Sequence, residues 1–258
     1  MGVRLPKLPP KGLARPGRVG GVVRMRPPRF ARRAVYQPGF NLSKAQRTAV
    51  VVVTCAVVLL AWDARVLLPL RLLVIAFHEI GHAIVALLSG GEVVVIGVGT
   101  DESGFTLTRG GDRVAILNGG YLGSIITGIS LLLSVRTASG ARSAAGILGG
   151  ILSVVAVRFH GADPVGLSMV LVSAVCLLGL ATRSADWLVE VVVRCLGWFS
   201  LLYALIDIRE DVFGAGGPDV RSDAASLEAL TGIAAPVWGM TWMLVGIGLL
   251  WFMRRRLR

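Results

Sequence analysis

Seven stretches of the chain are dominated by apolar residues, at roughly 46–62, 66–88, 114–135, 141–158, 164–182, 187–206 and 234–253. A helix that crosses a hydrocarbon core needs about 20 mostly apolar residues. The pattern therefore predicts an all-α polytopic membrane protein with six to seven transmembrane helices. The first stretch is short, and the third to fifth are joined by very short turns at Arg136–Gly140 and His160–Pro164. One of the seven is accordingly expected to be re-entrant or interfacial. Two intervening segments are too polar to span. Residues 90–112 alternate β-branched and small residues, turn at Asp101–Gly104 and resume at Phe105–Arg109, which predicts a small β-hairpin between two helices. Residues 207–233 hold Asp207, Glu210, Asp211, Asp219, Asp223 and Glu228 and read as an acid-rich loop on the membrane surface or folded against the helices.

Composition strengthens this reading. Of 258 residues 54% are hydrophobic and 16% charged, with a mean hydropathy of +0.73. Soluble domains run at about 45–50% apolar and about 25% charged, so an ordinary soluble globular protein is excluded. The net charge of +12 is confined to one region: residues 1–62 carry 12 of the 27 Lys and Arg and no acid, whereas the remainder balances 15 Arg against 15 Asp and Glu. Seven of the 11 prolines lie in the same region. Residues 1–45 are thus expected to be a disordered basic cytoplasmic arm that sets topology and touches anionic membrane lipids, with no nucleic-acid role. The arm is not expected to be a signal peptide, because no small-residue cleavage site follows the first apolar run. Residues 46–253 are expected to form the membrane-embedded domain and 254–258 a basic cytoplasmic tail. Two cytoplasmic ends require an even number of crossings, so six of the seven stretches should be true spans. A composition rich in Arg, Ala, Val and Gly suits a GC-rich bacterial genome and places the chain in the cytoplasmic membrane. Cys55, Cys176 and Cys195 all fall in apolar runs at no metal-ligand spacing.

The stretch that carries chemistry is Phe77-His78-Glu79-Ile80-Gly81-His82-Ala83, an H-E-x-x-H. Residues four apart share a helix face, so both imidazoles can reach one tetrahedral metal with Glu79 beside the remaining positions. Zinc lowers the pKa of a bound water towards about 7, and Glu79 can take its proton and pass it to a leaving amine. Two of only three histidines in the chain form this pair, in the middle of an apolar segment where ionisable groups are expensive and usually functional. The third, His160, lies in a short turn and is left out of the site. A hydrolytic zinc site usually has three protein ligands. The best candidate for the third is Asp207, which ends the apolar run from Leu201; Asp211 and Asp223 are alternatives.

These residues resemble a known family. HEIGHA inside a membrane segment, GGEVVVIGV, a hairpin with GFTLTRGG and then NGGYLGS at Asn118–Ser124 are similar to the site-2-protease group of intramembrane zinc metalloproteases, in particular the B-like branch of peptidase family M50. YALIDIREDV at Tyr203–Val212, SDA at Ser222–Ala224 and PVWG at Pro236–Gly239 are similar to the late segment of that branch. The resemblance covers roughly residues 70–245. It implies a membrane-embedded Zn2+ peptidase acting on a transmembrane protein substrate, with His78 and His82 as ligands, Glu79 as base and an aspartate from a later helix that maps onto Asp207. The L-D-G motif that usually carries this aspartate is absent, since Ile208 follows Asp207, and no PDZ module is expected.

Gly119, Gly120, Gly123 and Ser124 should allow close helix approach or room for a substrate. The 92–109 hairpin could offer an edge to an extended peptide, or simply cap neighbouring helices. Two other functions remain for the same residues: a non-catalytic membrane scaffold or chaperone, and a metal-ion transporter. The intact Glu79 argues against the first, and the lack of an internal repeat against the second.

Overall fold

The first apolar stretch is the one that forms a helix too short for a full span. The apolar part of α1 (Lys44–Leu60) runs only from Thr48 to Leu60, about 20 Å of helix against a core of about 30 Å. Among the described residues, six other helices are long and apolar enough to span. The computed structural model describes residues 44–62, 64–158, 163–213 and 222–257. The expected basic arm, apart from Lys44 and Ala45 at the start of α1, lies outside these residues, as do His160 and the side chains of the arginine tail.

After α1, a 3-10 turn at Arg65–Leu67 leads into α2 (Leu68–Leu88), with Pro69 in the first turn, where the missing N–H costs no helical bond. The hairpin follows as β1 (Glu92–Val98) and β2 (Gly104–Arg109), antiparallel, with Ile96 opposite Thr106 and Val98 opposite Gly104. Gly110 and Gly111 both take positive φ, at 69° and 78°, which lets the chain reverse in two residues from strand to helix. Asp112 then caps α3 (Arg113–Ser134), its Oδ1 accepting from the Ala115 N–H at 3.0 Å. The remaining helices are α4 (Ala138–Arg158), α5 (Pro164–Arg183), α6 (Asp186–Phe213), α7 (Asp223–Thr231) and α8 (Ala235–Leu257).

Burial identifies the centre of the bundle. The most apolar window of α2 is 72% buried, whereas those of α5 and α8 are 22% and 17% buried and present their apolar sides outward, as lipid-facing helices do. Small residues bring α2, α3 and α6 together. A Cβ at Gly119 would fall 2.9 Å from the Gly81 carbonyl oxygen, and one at Gly123 would fall 2.8 Å from the Gly81 Cα. Further along α3, Gly128 and Gly197 of α6 are in the same relation, and Ser200 Oγ donates to the Ser124 carbonyl at 2.9 Å. Of the glycines flagged in the sequence, Gly119 and Gly123 therefore form a helix crossing.

The acid-rich segment differs from expectation. No loop begins at Asp207: α6 continues six residues further, to Phe213, and Asp223–Thr231 form a helix of their own. Ser222 caps α7 by accepting from the Ala225 N–H, and Gly232 ends it in the left-handed conformation. Ala224 and Leu227 are fully buried in a cluster with Tyr121, Ile208 and Trp242, so α7 is pinned against α3, α6 and α8.

Candidate metal centre

The two histidines project from one face of α2, with their ring centroids 4.8 Å apart and nearly edge to face. Pinning α7 places its first residue over them. Asp223 Oδ2 lies 3.1 Å from His78 Nε2 and 3.2 Å from His82 Nε2. Burial pushes the Asp223 carboxyl up, but its contacts with the two imidazoles outweigh that and hold it down at about 2. His82 Nδ1–H donates to the Ile116 carbonyl at 2.7 Å, which fixes the ring and leaves Nε2 facing the carboxylate. His78 packs edge to face on Tyr121 at 4.8 Å, and Tyr121 in turn stacks on Trp242 at 4.4 Å. Space for the rings comes from Gly120, where a Cβ would fall 2.6 Å from His82 Nε2 and closer still to His78 Nε2.

Glu79 is buried beside this trio. His78, Glu79 and His82 offer ligand atoms that all lie within 4.8 Å of one another. Thr106 of β2 reaches across from the hairpin, with its Oγ1 2.7 Å from Glu79 Oε2 and 3.0 Å from the Glu79 carbonyl. The hairpin tip is tied to α2 as well. Arg71, only 5% exposed, donates to Glu102 Oε1 at 2.7 Å and to the Trp62 carbonyl, with its guanidinium 5.7 Å from the Trp62 ring centroid. At the hairpin turn, Asp163, the cap of α5, accepts from the Thr100 N–H at 2.8 Å. The hairpin with α2, α3, α6 and α7 borders a partly open cavity of about 360 Å³ that both histidines, Glu79, Phe105, Tyr203 and Asp223 help to line.

The donor set fits a zinc ion. Two atoms bound about 2.0 Å from a tetrahedral ion are about 3.3 Å apart by geometry, close to the separations of Asp223 Oδ2 from the two Nε2 atoms. Two imidazoles and a carboxylate also form a known hydrolytic ligand set.

Asp223, rather than Asp207, lies against the histidine pair. The expectation for Asp207 rested on its ending the apolar run from Leu201, a local property of α6, whereas Asp223 reaches the imidazoles from the start of α7. Asp207 lines the same cavity. The side chain of Asp211 lies outside the described residues.

A match to the Peptidase M50B-like family spans residues 50–253. The chain belongs to that family. No curated protein and no solved structure matches it. Membership, together with six apolar helices, makes this M50B-like chain a multi-pass membrane protein of a peptidase family. Thr106 had escaped the sequence reading, although a signal for it exists. Along β2 the threonines are turned inward while Phe105 and Leu107 are 49% and 55% exposed, the reverse of the usual alternation. Of the two threonines, Thr106 meets the Glu79 carboxylate and carbonyl.

Proposed function

We propose that this M50B-like chain is a zinc metallopeptidase that hydrolyses peptide bonds in or near the transmembrane segments of membrane protein substrates, in the cytoplasmic membrane. The observation that carries the reading is the convergence of one carboxylate oxygen on both H-E-x-x-H imidazoles, beside Glu79 and a cavity among apolar helices. His78, His82 and Asp223 would hold the ion. When bound, zinc supplies Lewis acidity that polarises a peptide carbonyl and acidifies water.

The protein's own groups do the rest. The Ile116 carbonyl keeps the proton of His82 on Nδ1, so that Nε2 is a lone-pair donor. Glu79 accepts the proton of the attacking water at a carboxylate oxygen and delivers it to the amide nitrogen as the C–N bond breaks. The surrounding helices restrict access of bulk water, which strengthens these charge interactions.

The test uses detergent-purified full-length protein and a fluorescein-labelled unfolded casein as probe. Wild type should carry about one zinc per chain, as a three-ligand site predicts, and cleave the probe. Glu79→Gln should keep the metal and lose cleavage by about 100- to 10,000-fold, the usual worth of a general base. Metal-free wild type, or cleavage that survives in Glu79→Gln, refutes the reading. A scaffold would be indifferent to Glu79→Gln.

A further inference from the structure

The carboxylate of Glu79 is boxed in by a strand that is not its own. Thr106 Oγ1 stands 2.7 Å from Oε2 and 3.0 Å from the backbone carbonyl of the same residue. A hydroxyl has one proton to donate, so these two acceptors on Glu79 share it. On the other side, Gly104 comes so near that a Cβ there would fall 2.5 Å from Oε1. Both oxygens are thus constrained by β2, two residues apart on one face of the strand.

The strand is in turn held on α2. Arg71 lies seven residues before His78, about two helical turns, and so on nearly the same face. Its bond to Glu102 anchors the hairpin tip, where Glu102 adopts a left-handed φ of 66° that L-residues rarely take. Arg71 is itself fixed by the Trp62 carbonyl and ring.

We propose that Thr106 is a positioning residue for the base: its hydroxyl fixes the Glu79 carboxylate in the cavity, and the Arg71–Glu102 pair keeps β2 at the distance this bond requires. The inference rests on the peptidase reading of Glu79. Thr106 acts on the base and not on the ligand set, so its loss should slow turnover without releasing metal. It should also leave probe binding little changed.

Full-length Thr106→Val, Thr106→Ser and wild type are compared in detergent with the fluorescein-labelled casein probe. Thr106→Val, close in shape but without the hydroxyl, should lower kcat about 10- to 100-fold with KM within about twofold, as loss of a hydrogen bond to a charged group predicts. Zinc content should stay at the wild-type level, and Thr106→Ser should recover to within about threefold of wild type because the hydroxyl is restored. In zinc-free protein, Glu102→Gln should raise hydrogen–deuterium exchange over residues 104–109. Wild-type kcat in Thr106→Val, a Thr106→Ser as slow as Thr106→Val, zinc loss in Thr106→Val, or unchanged exchange in Glu102→Gln each overturn the proposal. Wild type with neither zinc nor cleavage defeats the peptidase reading itself and this role with it, a failure visible before any variant is compared.

Discussion

Gly120→Ala tests whether α3 was shaped around the imidazole pair. An alanine Cβ at this position would fall 2.6 Å from both His78 Cε1 and His82 Nε2, where ordinary contact begins at 3.4 Å. The overlap is therefore about 0.8 Å, and larger against His78 Nε2. Separating the helices to relieve it would break the close backbone packing that Gly81, Gly119 and Gly123 allow. His82 is also tied at Nδ1 to Ile116. The rings must therefore turn away, by several times the ~0.2 Å that ligand distances tolerate. Overpacking of this kind costs about 1–3 kcal/mol, which corresponds to roughly 5- to 150-fold weaker zinc binding. Competition against a chromophoric chelator measures the affinity, and thermal unfolding of the zinc-free protein monitors the fold. Gly150→Ala on α4 is the control, since a Cβ there meets nothing within 4 Å; it should bind zinc like wild type and stabilise its helix by up to about 1 kcal/mol. Zinc affinity in Gly120→Ala within about twofold of the Gly150→Ala control would refute the argument, since even the low end of an overpacking cost exceeds that.

Three further outcomes follow from the same geometry. Asp223→Ala should lose zinc by more than the ~10- to 100-fold that outer contacts to ligands are worth, while Asp207→Ala keeps it; elemental analysis of the two side by side decides the third ligand, and the opposite pattern restores Asp207. In thermal unfolding, Glu102→Ala should cost more than Arg71→Met, about 3 against about 1 kcal/mol. The first removes the only carboxylate paired with a buried guanidinium among the described residues and leaves it the Trp62 carbonyl and ring, whereas the second frees a carboxylate that is 39% exposed; the reverse order would show that Arg71 is hydrated. The Thr100 and Val165 N–H groups hold the Asp163 carboxyl below the usual carboxylate range. Its contribution to stability is therefore present above the ordinary value of about 3.9 and lost as pH falls through the lower folded value. The gap between wild type and Asp163→Ala should shrink from pH 7 towards about pH 3, and a gap constant with pH would contradict the assignment.

The H-E-x-x-H pair was legible because helical periodicity alone puts His78 and His82 on one face. Hydropathy showed the spans for a similar reason: length and apolarity are local properties. Even the shortness of α1 is a count of residues. The hairpin followed from alternation and from the turn at Asp101–Gly104. Gly120 was visible as one of a run of small residues, but its particular role was not. A glycine leaves no mark of which neighbour needs the space.

What remained hidden depends on contacts between distant parts of the chain. Asp223 and His78 are 145 residues apart in sequence, and nothing local to Ser222-Asp223-Ala224 distinguishes it from Asp207. The choice falls to Ala224 and Leu227, whose burial against Tyr121, Ile208 and Trp242 docks α7 with its first residue over the imidazoles. Thr106 reaches Glu79 because Arg71 and the register of the hairpin set β2 against α2. By itself the sequence determined a membrane bundle, its hairpin and one face of a metal site, all consequences of short-range periodicity and hydropathy. The tertiary structure alone decided which carboxylate lies against the histidine pair and what holds Glu79, because both are set by how buried side chains pack across helices.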